Sequence, residues 1–187
     1  MIFGLAKNRM HILPYIQMPA EFRGYDAQFA EVAELLVSAI QDAMPQLQVE
    51  HVGSTSVPSC GGKGIIDLAV LYPEGLLGPA RAALDNLGFQ KQGGPEPFPE
   101  TRPMRVGCVE HNRRSFQIHA HVIALDSAEH GELVWFRDTL RGDSGVRRGY
   151  EDRKRAILAL GVEDSIAYCK AKGPFITDLI KERKPGA

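Results

Sequence analysis

The chain has 187 residues, 44% of them hydrophobic and 24% charged, an ordinary globular composition that can bury about 70% of its unfolded surface. A net charge of −1 gives no bulk attraction for nucleic acid, and three scattered cysteines, Cys60, Cys108 and Cys169, argue against a disulfide framework or a cysteine-rich zinc site. No apolar run approaches the length of a membrane span, and the opening Met1-Ile2-Phe3-Gly4-Leu5-Ala6-Lys7 lacks the order of a signal peptide, so a cytoplasmic protein without a membrane partner is expected.

From Tyr25 to Met44 the apolar residues Phe29, Val32, Leu36, Ala39 and Ile40 form one stripe and Pro45 stops the pattern, which predicts an amphipathic helix. A short strand near 47–52 runs into Gly53-Ser54-Thr55-Ser56-Val57-Pro58. There the glycine lets backbone amides approach a ligand and the hydroxyls can cap a turn, which is how an anion site is built. The plainer alternative is a tight strand-to-helix turn. The next strand, 64–72, is apolar except for Asp67. A carboxylate there needs a partner, and Mg²⁺ bridging to a phosphate is one. Lys63, just before it, is a candidate phosphate contact.

A helix then runs to about Leu87 and ends at Gly88 in the left-handed cap position. Gln92 to Arg102, rich in Gly, Pro and Glu, reads as a loop that either covers the site or forms a surface hairpin. Met104–Val109 and Phe116–Leu125 predict a β-hairpin joined through residues 110–114. His119 and His121 share one face of their strand and would meet Asp67 and Glu50 if the strands are neighbours. Arg102, Arg105, Arg113 and Arg114 read as a basic cluster around the hairpin. Three helices are expected near 128–141, 144–160 and 163–182, with Gly173-Pro174 splitting the last. The pattern is that of an α/β (α+β) chain with a mixed sheet flanked by helices and a C-terminal helical segment. It predicts one domain over 1–187, with a core of about 10–126 and a helical cap of about 127–182.

The ordered set of motifs resembles the GrpB family of nucleotidyltransferase-fold proteins. Glu50-His51-Val52-Gly53-Ser54-Thr55-Ser56-Val57-Pro58, Lys63 and Ile65-Ile66-Asp67 are similar to its central signature. Leu13-Pro14-Tyr15 with Pro19 and Phe22, His121-Val122, Phe136-Arg137-Asp138-Thr139-Leu140-Arg141, Tyr150 with Lys154, and Tyr168 with Lys172 match it elsewhere. Ser59 and Gly64 depart from the family's usual Gly and Pro. Active nucleotidyltransferases carry a second carboxylate two residues after the first, and here that position is Ala69.

The resemblance implies a metal-dependent nucleotidyltransferase acting on an unidentified acceptor. Asp67 and His121 would be catalytic, and Gly53, Ser54, Thr55, Ser56, Lys63, Arg137 and Arg141 would hold the triphosphate. Asp67 and Glu50 would carry Mg²⁺, with His119 and His121 as further ligands. One alternative is a non-catalytic nucleotide-binding or accessory module, like the GrpB domains fused to dephospho-CoA kinases. The other is a metallohydrolase using His119, His121 and Asp67, with zinc as the minority choice of metal. Glu110 or Asp126 standing beside Asp67 would supply the missing acid and favour transfer.

Overall fold

The computed structural model describes residues 10–162 and 164–182. Helix α1 (Gln28–Ala43) leads to strand β1 (Gln48–Val52), a 3₁₀ turn (Ser54–Ser56) and β2 (Ile65–Tyr72). Then come α2 (Leu77–Leu87), β3 (Gln90–Lys91), β4 (Met104–His111) and β5 (Arg114–Ala124). Helices α3 (Ala128–Gly142), α4 (Ser144–Ala159) and α5 (Ser165–Lys181) follow. The five-stranded sheet has the order β1-β2-β5-β4-β3. It is mixed: β2 and β5 run parallel, and the other pairs are antiparallel.

Period-two alternation gives the two faces of this sheet different chemistry. Ile66, Leu68 and Val70 of β2 and Phe116, Ile118, Ala120 and Val122 of β5 point to one face. There they pack on Phe29, Val32, Leu36 and Ile40 of α1 and on Ala80 and Leu84 of α2. The other face carries Asp67, His119 and His121, and Leu133 of α3 packs on it beside Ala69, Leu71 and Ile123. The α1 stripe thus forms as the sequence predicts. Gly88 ends α2 with φ of 103°, where a Cβ would stand 3.0 Å from the Ile12 carbonyl oxygen.

The three C-terminal helices begin at side-chain caps. Ser127 Oγ accepts from His130 N, Asp143 Oδ1 from Gly145 N and Val146 N, and Asp164 Oδ1 from Ile166 N and Ala167 N. Phe136, Leu140 and Tyr150 pack on Val57 and Cys60, so the helices clamp the loop that follows β1.

Three expectations change. The hairpin turn is tighter than residues 110–114, because Asn112 and Arg113, with φ of 48° and 62°, make a two-residue connection and Glu110, His111 and Arg114 join the strands. Helix α5 runs through Pro174 without splitting, and Arg153 of α4 donates to the Ala171 carbonyl on the turn that the proline disturbs. The basic cluster is dispersed: Arg105 is buried between Asp85 and Glu100, Arg102 binds Glu129, and Arg114 binds Asp26. The opening residues 1–7 and Glu163, where the last helix was expected to start, lie outside the described residues.

Candidate metal and phosphate site

Asp67 lies opposite Val52 on β1 and His119 on β5, and His121 lies opposite Ala69. Asp67 Oδ1 is 3.5 Å from His119 Nδ1 and 3.7 Å from His121 Nε2. One donor atom from each of the three lies within 4.8 Å of the others, and among the described residues no other group of three such side chains is as close. Burial opposes ionisation of Asp67, but the hydrogen bonds and charges of His119 and His121 outweigh it and hold the carboxyl below its usual range. Burial also pushes the His121 imidazole below its ordinary value, against the pull of Asp67.

The loop touches this carboxylate. Gly53 has φ of 70° and ψ of −174°, and a Cβ there would stand 2.4 Å from Asp67 Oδ2, so only glycine lets the chain pass. Of the hydroxyls that follow, only Ser54 is turned to a charged partner, accepting from Lys154 Nζ at 3.1 Å. Thr55 Oγ1 donates to the Ile65 carbonyl and is 3.0 Å from His51 Nε2, while Ser56 Oγ donates to the Gly53 carbonyl. Thr55 and Ser56 are buried, and their hydroxyls hold the loop's shape. Burial pushes His51 down to about 4, so it is a neutral brace.

The expected arginines grip the loop from behind. Arg137 donates to Glu50 Oε2 at 2.8 Å and to the His51 carbonyl, and Arg141 donates to the Ser56 carbonyl at 2.8 Å. Glu50 shares the face of Asp67 and is held by Arg137 and by His130, 3.1 Å away, outside the cluster that Asp67 forms with His119 and His121. Asp126 lines a cleft of about 570 Å³ with Glu50, His130, Trp135 and Asp138. Among the described residues, neither Asp126 nor Glu110 enters the Asp67 cluster. A second cleft, of about 610 Å³, lies between α1 and the loop and is lined by Tyr25, Glu34, His51, Ser59 and Arg147. Both clefts flank the cluster without containing it.

Several site residues escaped sequence reasoning. Tyr15 Oη is 3.1 Å from His119 Nε2, and burial raises its phenol above the usual value. Lys154, 1% exposed, also donates to the Gly61 carbonyl and stands 4.2 Å over the Tyr150 ring; burial lowers it to about 8. Lys172, and Lys63, which the sequence had singled out, stand 5.7 Å and 5.2 Å over the ring of Tyr168. Three ammonium groups thus converge beside the loop. The signal for Lys154 and Lys172 lay in their match to the family's helices.

Comparison with known proteins identifies the family and the fold. A family model described as GrpB protein matches residues 19–182. A UPF0157 protein of Pseudomonas aeruginosa is 33% identical over 179 residues, covering 92% of this chain and 67% of its own. Another, of Streptomyces coelicolor, is 32% identical over 164 residues, covering 87% and 83%. Among solved structures, the conserved protein GrpB from Enterococcus faecalis superposes with a TM-score of 0.61 at 20% identity, over 86% of this chain and 99% of that one. The GLD-2/RNP-8 complex gives 0.56 at 12% identity, over 88% of this chain and 62% of that one. Cid1 in complex with its short product ApU gives 0.50 at 12% identity, over 72% and 42%. The last two identify a nucleotidyltransferase fold and no more. With the family model spanning 19–182 and the loop, Asp67 and His121 in their expected strands, the chain belongs to the GrpB family.

Proposed function

We propose that the protein binds a nucleoside triphosphate through a divalent metal ion and transfers its nucleotidyl group to an acceptor. The observation that carries this reading is the close approach of Gly53 to Asp67, which leaves no room for a Cβ beside Oδ2 and brings the Gly-Ser loop up to a carboxylate flanked by two imidazoles. Asp67, His119 and His121 would hold the ion. One carboxylate oxygen and two imidazole nitrogens suit Mn²⁺ or Zn²⁺ better than Mg²⁺, which prefers oxygen ligands. When bound, the ion would neutralise phosphate charge and orient the α-phosphoryl group.

The chain's own groups supply the rest. Ser54 Oγ and the ammonium groups of Lys154, Lys63 and Lys172 would bind the β- and γ-phosphates. The acceptor's nucleophilic atom bonds to the α-phosphorus, the bond to the β-bridging oxygen breaks, and pyrophosphate leaves with that electron pair. The acceptor's proton is released to solvent, because the Asp67 carboxyl, held below its usual range, is too weak a base to take it. His121 would act through Nε2, the nitrogen that faces Asp67, as a ligand to the ion rather than as the base.

A metallohydrolase on the same three residues is the second reading, favoured by the 4.8 Å donor cluster, with water in place of the acceptor. Ala69 favours the third, a non-catalytic module, since no second strand carboxylate meets the ion. Incubation with α-labelled triphosphate, Mn²⁺ and a small-molecule extract separates the three. Label in a new product with pyrophosphate release supports transfer. Labelled free nucleotide alone means hydrolysis, and tight binding without turnover means a binding module.

A further inference from the structure

The two histidines differ in what stands behind them. A histidine that binds an ion through one ring nitrogen carries a proton on the other, and that N–H needs an acceptor. His119 has one, because Tyr15 Oη at 3.1 Å from its Nε2 can accept. His121 does not. Its Nε2 faces Asp67, and its Nδ1 lies 3.1 Å from Arg102 Nη1. A guanidinium only donates. The contact therefore keeps the Nδ1 lone pair engaged and puts the ring proton on Nε2, the nitrogen that would have to bind the ion.

The acceptor that His121 lacks is on the far side of the same guanidinium. Glu129 of α3 takes Arg102 in a two-point pair, Nε to Oε2 at 3.0 Å and Nη2 to Oε1. Arg102 also lies 4.4 Å over the Phe98 ring, which meets His121 edge-on at 5.9 Å. Arg102 and Phe98 belong to the 92–102 loop, whose Gly93 and Gly94 have open space around them. A guanidinium prefers a phosphate in the same two-point geometry.

We propose that Arg102 is a latch coupling phosphate binding to ion binding, and that Glu129 is the positioning residue it masks. With Arg102 in place, His121 is held in the non-ligating tautomer. A phosphate group draws Arg102 away, Glu129 accepts from Nδ1–H, and Nε2 is freed for the ion. By linkage, phosphate then tightens the ion and the ion tightens phosphate by the same factor. This rests on the metal reading of Asp67, His119 and His121.

The test is Mn²⁺ titration, without nucleotide, of the wild-type chain, Arg102→Leu, Arg102→Leu/Glu129→Gln and Asp67→Asn, with nitrogen-15 NMR of the histidine rings. Arg102→Leu should bind Mn²⁺ about 10–100-fold more tightly than wild type, and the added Glu129→Gln should erase the gain. His121 in the ion-free wild type should be protonated at Nε2 and shift to Nδ1 in Arg102→Leu. Equal or weaker ion binding by Arg102→Leu, with wild-type binding still lost in Asp67→Asn, overturns the latch and leaves the metal site standing. An Nδ1-protonated His121 in the ion-free wild type also overturns it, including when the variant fails to fold. If neither wild type nor Arg102→Leu binds Mn²⁺ in an Asp67-dependent way, the metal site itself fails.

Discussion

The two faces of one sheet divide the work of this molecule. Toward α1 and α2, β2 and β5 present an unbroken apolar surface in which Ile66, Leu68, Ile118 and Ala120 have no solvent exposure. Toward α3, the residues between them are Asp67, His119 and His121, partly exposed and electrostatically coupled. Adjacent positions on the same strand therefore answer to different demands. Burial fixes one set, and the need to hold charge near a loop fixes the other.

The comparison is sharpest in stability against binding. Ile118→Ala should destabilise the fold by about 2–5 kcal/mol in denaturant unfolding, while its folded fraction binds metal as wild type does. His119→Ala, one residue away, should reverse this. Its stability should change little, and its ion affinity should fall by more than the roughly 10–100-fold of an outer partner. A large stability loss in His119→Ala with ion binding unchanged would break the division.

Gly53→Ala joins the two effects. The added methyl would meet Asp67 Oδ2 in a backbone region nearly reserved for glycine, so about 1–3 kcal/mol of stability should be lost together with part of the ion affinity. Crystallography of the variant should find the Asp67 carboxylate displaced.

Lys154 gives a pH signature. Its folded value of about 8 lies below the ordinary 10.5, so the unfolded chain binds the extra proton between these values. The cost of its buried charge is therefore fully present below about pH 8 and is relieved as pH rises toward 10.5. Comparing unfolding curves of wild type and Lys154→Met across that window should show a rise that the variant lacks, and triphosphate affinity should weaken in the wild type over the same range. The smallest effect is expected from Glu50→Gln, which loosens Arg137 and His130 but should leave the Mn²⁺ dissociation constant within about twofold, inside the weak coupling of separate sites.

What could be read in the sequence follows the same division. Asp67 stood out because a charge breaks an apolar run, and His119 and His121 because period-two spacing puts them on one face. The helix of Phe29 and Leu36 was legible for the same reason. Interactions between distant segments were not. Nothing local says that Arg141, 85 positions further on, donates to the Ser56 carbonyl. Arg137 and Arg141 read as phosphate contacts through the family resemblance, and the His51 and Ser56 carbonyls to which they donate are not visible in the sequence. Lys154 was missed as a site group because a lysine in a polar helix ordinarily faces water, whereas Tyr150, Cys60 and Ser54 enclose this one.

The most direct test of the account is a calorimetric titration of the chain with Mn²⁺ or Zn²⁺ and a nucleoside triphosphate, in parallel with Asp67→Asn. The account predicts near one ion per chain, triphosphate binding that requires it, and loss of both in a variant that remains folded. Triphosphate binding that is equally tight without metal, or an ion retained in Asp67→Asn, would contradict it.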